Sequence, residues 1–239
     1  MARSADLRNN LAQHAPKNRE SKRSDKAIYD AMRDCIEYLQ GRMNDHLQGY
    51  NLDFQKELSF RQLIEMIRVS GVRMEFDTAF LNRTIKPDGG VIWLTSDSDE
   101  NYRRLIVVSE VKKQGTNKER QAEGKAKQAQ GNAIERLGKN LTGIRAALSH
   151  EPLTPFVCFG WGCDFESPYN GSSFVMSKVS MMNEFYPLNR TYVFKKDGSS
   201  DRNHFSPVSM YFRESEWTRQ EMFNILKEVA ETSLRYYLF

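Results

Sequence analysis

The chain has 239 residues and carries 35 lysines and arginines against 31 aspartates and glutamates, a formal net charge of +4. This length supports one large domain or two small ones with a sizeable core in either case, and we expect one domain. The small positive excess permits a polyanionic partner without demanding one. The three cysteines lack C-x-x-C spacing, and no apolar run approaches the ~18 residues of a membrane span. We therefore expect reduced thiols, no signal peptide, no membrane anchor and a cytoplasmic location.

The first segment, residues 1–23, is polar and carries six basic and two acidic side chains. We expect it to be a basic, mobile N-terminal arm in front of one domain spanning residues 24–239. The stretch 112–127 has the same local excess, again six basic side chains against two acidic ones. Both stretches could contact the phosphates of a nucleic acid, and both could equally be solvated surface.

Helices and strands follow one another along the rest of the chain. Apolar residues at helical spacing predict a helix from Ser24 to near Leu47, and a second helix is predicted from Ser59, where Gln62 completes a capping box. Further segments have the patterns of strands or of amphipathic helices. The strand segments are MEFDTAFL (74–81), GGVIWLTS (89–96), RRLIVVSEV (103–111), PFVCFGW (155–161) and RTYVFKK (190–196), and the helical segments span 131–148 and 215–239. This order favours an α/β fold with a mixed central β-sheet flanked by helices.

The turn IKPDGG places Asp88 between Pro87 and two glycines, directly before a predicted strand. Taken by itself this is an ordinary turn, because proline, aspartate and glycine all favour turn conformations. On the next of these predicted strands, Glu110 and Lys112 are two residues apart and therefore lie on the same face. They could form a solvated strand end, a simple ion pair, or a site that needs both charges. If Asp88 converges with them, the two carboxylates suit Mg²⁺, and Lys112 could orient a water that attacks a phosphodiester.

The sequence PD, a gap and then E-x-K resembles the PD-(D/E)xK nuclease signature, and the flanking residues are more specific. IKPDGG, VVSEVKKQG and GNAIERLGKN resemble type II restriction endonucleases of the EcoRI kind, as do LSFR at 58–61 and ETSLR at 231–235. The matches keep one order over residues 58–235. The resemblance implies a restriction-endonuclease-like fold in which Asp88 and Glu110 bind metal and Lys112 is the catalytic lysine. It also implies that the backbone carbonyl of Val111 is a metal ligand.

The segment GNAIER, residues 131–136, has two interpretations that do not exclude each other. Asn132 and Glu135 resemble a capping box, and Asn or Arg side chains at a helix start can also read purines in the major groove. The resemblance implies that this segment contacts a central AATT and that the residues just before it help to read the outer base pair. The base-contacting residues implied in this way are Gln128, Ala129, Gly131, Asn132, Ala133 and Arg136, and the phosphate-contacting residues are Lys86, Lys139 and Asn140.

We therefore expect a Mg²⁺-dependent homodimer that cleaves double-stranded DNA at a palindrome, GAATTC, and leaves 5′ overhangs, in a host with a cognate DNA methyltransferase. Gln128 and Gln130 stand where similar sequences have Met and small residues, which leaves the outer base pair open. Two alternatives also stay open. One is a nuclease with the same core and repair or structure-specific duties, and the other is a DNA-binding protein in which the acidic cluster is only structural. Scattered histidines and the lack of a glycine-rich phosphate loop favour no cofactor beyond the metal.

Overall fold

The computed structural model describes residues 2–69, 81–113, 122–124, 144, 151, 153, 155–162 and 208–239. The strands in these ranges are β1 (Tyr50–Gln55), β2 (Leu58–Ser59), β3 (Thr84–Ile85), β4 (Gly90–Ser96), β5 (Arg103–Lys113), β6 (Phe156–Trp161) and β7 (Val208–Arg213). Five of them form one sheet in the order β1-β4-β5-β6-β7, while β2 and β3 pair separately. β4 is antiparallel to both β1 and β5, whereas β5, β6 and β7 are parallel.

The α-helices in the same ranges are α1 (Ala2–Arg42), α2 (Phe60–Val69) and α3 (Arg219–Leu238), and a short 3-10 helix spans Asn44–His46. α1 and α3 pack against each other and against β5. Their apolar faces, which include Ile28, Met32 and Leu226, form one core cluster with the central strands. β4 and β5 are covered by neighbouring elements, and their apolar runs are therefore continuous rather than alternating.

This architecture confirms the predicted α/β class with a mixed central sheet flanked by helices. β4, β5 and β6 match three of the predicted strands closely. The capping box of α2 is also confirmed, because Ser59 Oγ accepts the Gln62 N–H at 3.2 Å and Gln62 Oε1 accepts the Ser59 N–H at 3.0 Å. None of the helices within the described ranges is both long and apolar enough to cross a membrane.

Several predicted boundaries were wrong. α1 begins at Ala2 instead of Ser24, because residues before Ser24 have no apolar stripe from which periodicity could detect a helix. It ends at Arg42, and the last residues of the predicted helix form the separate 3-10 helix. α3 begins at Arg219 instead of Ser215, because Thr218 and Glu221 form a capping box there. The mobility of residues 1–23 and the single domain over 24–239 stay predictions.

The strands β1, β2, β3 and β7 were not predicted from the sequence. β1 has only Leu52 buried among its six residues, so its pattern is not that of a half-buried strand. The predicted strand at 74–81 lies outside the described residues except for Leu81, which is in a turn, and the predicted strand at 190–196 lies outside them altogether. Of the predicted helix at 131–148 only Ile144 is described, as a buried helical residue.

Candidate active site

The turn before β4 is fastened to its surroundings by backbone hydrogen bonds. The Gly90 N–H donates to the Pro87 carbonyl at 3.0 Å, and the Gly89 N–H donates to the Ser109 carbonyl of β5 at 3.1 Å. Gly90 has a φ of 82°, and a Cβ there would lie 2.7 Å from Cζ of Phe54. A Cβ on Gly89 would overlap the hydroxyl of Ser109. Both glycines are therefore required if Asp88 is to lie this close to β5.

Three charged side chains meet where this turn approaches β5. The Lys112 Nζ lies 2.5 Å from Oδ2 of Asp88 and 2.6 Å from Oε2 of Glu110. The backbone N–H of Val111 donates to Oδ2 of Asp88 at 3.3 Å. Glu110 is almost fully buried, with 1% of its side chain exposed, whereas Lys112 and Asp88 are 16% and 23% exposed. The structure therefore brings together the three residues that the sequence selected, on the face and at the strand end expected.

Burial and like charge shape the electrostatics of this cluster. Burial and the nearby Asp88 raise the pKa of Glu110 to about 8, although Lys112 opposes the shift. Burial alone would lower the pKa of Lys112, yet the two carboxylates raise it above its ordinary value. The lysine is therefore a firmly protonated ammonium between two acidic groups, one of which is costly to ionise. A cation with higher charge would stabilise both carboxylates further.

The donor set fits a small divalent cation. Two carboxylates converge on one point, and the ammonium of Lys112 shows that a cation is accommodated between them. No group of three or more histidine, cysteine, aspartate or glutamate side chains suited to a metal occurs in the part of the chain that the structure describes. Two carboxylates with remaining positions for water and phosphate is a common arrangement for Mg²⁺, which retains several waters.

Asp88 also lies in the wall of a cleft of about 710 Å³ between α1 and the β1–β2 connection. Four lysines line it, namely Lys22, Lys26, Lys56 and Lys86. Its carboxylates besides Asp88 are Asp25, Asp30 and Glu57. Burial, with the nearby Asp88 as a smaller contribution, raises the pKa of Asp25, and Lys112 opposes that shift. The cleft thus reaches the cluster of catalytic candidates through Asp88.

The other candidate residues have different outcomes. Lys86, predicted to contact phosphate, lies in the cleft and pairs with Glu57, Nζ to Oε2 at 2.5 Å. The remaining candidates lie outside the described residues: Gln128, Ala129, Gly131, Asn132, Ala133, Arg136, Lys139 and Asn140. Sequence reasoning missed Asp25 and Lys26 in the cleft, which polar residues at helical spacing on α1 could have indicated. It also missed Lys56 and Glu57, for which no local pattern exists.

A mixed sheet flanked by helices, with an acidic turn before one strand and Glu-x-Lys at the end of the next, is the arrangement of a metal-dependent nuclease domain. A family model described as Restriction endonuclease EcoRI matches residues 16–238. The chain is also 30% identical over 214 residues to the Type II restriction enzyme RsrI of Cereibacter sphaeroides, covering 77% of this chain and 76% of that protein. The chain therefore belongs to the EcoRI restriction endonuclease family, and it is a type II site-specific deoxyribonuclease. Enzymes of this class act on double-stranded DNA and generally use divalent metal ions.

Proposed function

We propose that this chain is a Mg²⁺-dependent restriction enzyme that cleaves both strands at GAATTC and leaves four-base 5′ overhangs. The observation that carries this proposal is the convergence of Asp88, Glu110 and Lys112 at one point beside a cleft. A solvated strand end is disfavoured because Glu110 is almost fully buried. A simple ion pair is disfavoured because two carboxylates share one lysine, which leaves the site acidic.

In this proposal Asp88 and Glu110 would hold the ion, and the Val111 carbonyl would be the third protein ligand. When bound, the ion makes a coordinated water more acidic and screens a phosphate oxygen as charge develops there. Lys112, displaced from its present position between the carboxylates, orients the attacking water and donates to a phosphate oxygen. The attacking water forms a bond to phosphorus and releases one proton to solvent, the phosphorus–oxygen bond to the leaving oxygen breaks, and that oxygen takes up one proton from solvent to become a hydroxyl.

The sequence preference is proposed from similarity. Asn132 and Arg136 read the adenines of the central AATT, with Gly131 and Ala133 close to the bases, while Gln128 and Ala129 lie near the outer pair. Lys86, Lys139 and Asn140 position the DNA through phosphates. A good bidentate contact discriminates by about 1–3 kcal/mol, so these residues would account for strong selectivity in a symmetric complex.

The assembly proposed is a homodimer. A palindrome presents two identical strands, and two copies of one active site related by a two-fold axis match that symmetry. A restriction enzyme also requires that the host DNA be protected, so we propose a cognate DNA methyltransferase and a cytoplasmic location.

The deciding experiment is the digestion of a plasmid of known sequence with and without Mg²⁺, followed by sequencing of the fragment ends. We expect cuts at GAATTC that leave four-base 5′ overhangs, and we expect them only when Mg²⁺ is present. Ends without AATT would refute the proposed recognition, whereas AATT within another outer pair would refute only the outer assignment. Cutting at unpaired or branched DNA would favour a repair nuclease, and binding without any cutting would favour a DNA-binding protein with a structural acidic cluster.

Asn132→Ala tests the recognition residues separately from the chemistry. We expect specific cutting to fall by several powers of ten, because the dimer loses two bidentate contacts at about 1–3 kcal/mol each, while binding to unrelated DNA barely changes. Equal cutting rates at GAATTC for this variant and the wild type would refute the assignment of Asn132.

A further inference from the structure

The corner between β1 and β2 carries two opposite charges at the edge of the active-site cleft. Lys56 and Glu57 are consecutive residues of this corner, and both line the cleft that contains Asp88. Across the cleft, α1 presents Lys26 from the polar side of the helix, where it is exposed.

The corner is held in place by two side-chain hydrogen bonds of the residue that precedes it. Before it, the Gln55 Oε1 accepts the indole N–H of Trp93 at 3.1 Å, which ties the end of β1 to β4. The Gln55 Nε2 donates to Gln62 Oε1 at 2.7 Å, which ties the same residue to the start of α2. Lys56 therefore projects from a fixed backbone, and a fixed backbone is what precise positioning of a ligand requires.

The side chain of Lys56 is oriented by aromatic rings that lead to the catalytic turn. Its Nζ lies 5.6 Å from the ring centroid of Tyr29, within the range of a cation–π contact. The Tyr29 ring meets the Phe54 ring edge to face, with centroids 5.2 Å apart. Phe54 in turn lies against Gly90, directly after the Asp88 turn. A cation–π contact leaves the ammonium hydrogens of Lys56 available to an anion.

The charges of the cleft divide into two groups. Close to the catalytic turn the lysines already contact carboxylates, since Lys86 pairs with Glu57 and Lys112 lies against both Asp88 and Glu110. On the side formed by α1 and the corner, three lysines face Asp25 and Asp30. Three ammonium groups against two carboxylates leave an excess of one positive charge there. This side of the cleft is therefore cationic, and it lies next to the residues that would cleave a phosphodiester.

We propose that Lys56 and Lys26 form a phosphate subsite, which holds the backbone of the cleaved strand beside the phosphate that Asp88, Glu110 and Lys112 hydrolyse. This subsite rests on the proposed function, and it adds contacts beyond Lys86. It binds phosphate and reads no base, so it contributes equally to all DNA sequences. Tyr29 is its positioning residue, because its ring lies beside the ammonium of Lys56.

The test is the salt dependence of DNA binding without Mg²⁺, measured by fluorescence anisotropy for one duplex that contains GAATTC and one of equal length that lacks it. Each lost phosphate contact should flatten the slope of log K against log salt by about 0.9. In the proposed homodimer Lys56→Ala removes one such contact per subunit, so the affinity advantage of the wild type over this variant should shrink about 12-fold between 50 and 200 mM salt. Lys26→Ala should behave alike, and Lys56→Arg should keep most of the wild-type slope.

Lys227→Ala is the matched control, since it also removes one lysine but lies over the ring of Tyr38. Tyr38 is 12 residues after Lys26 on α1, which corresponds to about 18 Å along the helix. We expect this control to bind both duplexes with the wild-type slope. Melting temperatures of all variants verify folding, and Lys56→Gln replaces Lys56→Ala if the latter proves unstable.

The outcomes separate this subsite from the function on which it rests. A wild type that binds both duplexes with a normal slope, together with lysine variants that match it, overturns the subsite and leaves the nuclease function intact. Equal losses for Lys227→Ala and Lys56→Ala also overturn it, because the effect would then be general charge. A wild type that neither binds nor cuts DNA would overturn the proposed function itself.

Discussion

A buried carboxylate lies at each end of β5, and the two ends form different sites. At the C-terminal end Glu110 meets Asp88 and Lys112, with distances of 2.5 and 2.6 Å from the lysine. Near the start of the strand Glu151 lies 3.6 Å from a guanidinium nitrogen of Arg104, with 2% of the side chain exposed. Burial raises the pKa of both carboxyls, to about 8 for Glu110 and about 7 for Glu151.

The comparison shows that a buried acid with a raised pKa does not identify a catalytic site. Each end of β5 also borders a cleft, of about 710 Å³ at the Asp88 end and about 630 Å³ at the Glu151 end. What differs is the second carboxylate, which a glycine turn brings against the first and which creates a demand for a divalent cation. At the other end an arginine, permanently charged, stands beside the one buried acid.

The largest difference between the two ends is expected in the cleavage rate after a carboxylate has been removed from one end or from the other. Glu110→Ala and Asp88→Ala should reduce Mg²⁺-dependent cleavage by about a thousandfold or more, because the metal loses a ligand. DNA binding should persist or tighten, since repulsion of phosphate falls. Glu151→Gln should cut at close to the wild-type rate. Single-turnover cleavage of a labelled duplex measures all three, and substantial cutting by either alanine variant would refute the metal-site assignment.

The two basic partners provide the next contrast. Lys112→Ala should lower the cleavage rate by about 10²–10³, because the water and the phosphate lose a donor, while metal affinity is largely kept. Arg104→Ala should leave cleavage near the wild-type rate. Rates come from single-turnover cleavage, and metal affinity from isothermal titration calorimetry. A fully active Lys112→Ala variant would return Lys112 to the role of a simple ion-pair partner.

The pH dependence of stability tests the Glu151 end. Its folded-state pKa of about 7 lies above the ordinary 4.5, so the folded chain binds the proton more strongly than the unfolded chain. The resulting stabilisation is present below pH 4.5 and is lost as the pH rises through 7. The Glu151→Gln variant has no such proton to lose. Its free energy of unfolding relative to that of the wild type should therefore rise by up to about 3 kcal/mol between pH 4.5 and 8.

Chemical denaturation in the presence of a chelator at several pH values measures this difference. The chelator excludes metal binding at the other end of β5, and the comparison with wild type cancels the titration of Glu110. A pH profile that is the same for Glu151→Gln and the wild type would contradict the shifted pKa.

The smallest effect concerns the glycine turn that distinguishes the catalytic end. Gly89→Ala should destabilise the fold by about 1–3 kcal/mol, because the new Cβ overlaps the hydroxyl of Ser109. Gly41→Ala in α1 is the control, since a Cβ there meets no atom within 4 Å and alanine favours a helix. Urea unfolding measures both. Equal stability of the two variants would show that the turn tolerates a side chain at residue 89.

The central part of the fold was predictable because its patterns are local. The apolar runs of β4 and β5 identify these strands without reference to other segments of the chain. Ser59 and Gln62 likewise form a helix cap within one turn of helix. The proximity of Asp88 and Glu110 could also be predicted, because Asp88 precedes the first strand of an antiparallel pair and Glu110 lies near the end of the second. β1 could not be recognised, since only Leu52 of its residues is buried and its partner β4 lies far along the chain.

The sequence by itself determined the chemistry of the catalytic candidates. Asp88 lies just before β4, Glu110 and Lys112 lie at the end of β5, and these two strands follow each other along the chain and pair with each other. Only the tertiary structure decided what surrounds them. Lys56 and Tyr29 meet because α1 packs beside the end of β1, and no pattern in either segment contains that contact. Periodicity tells which face of an element is buried, but the partner of that face depends on how all elements pack together, which is a property of the whole chain.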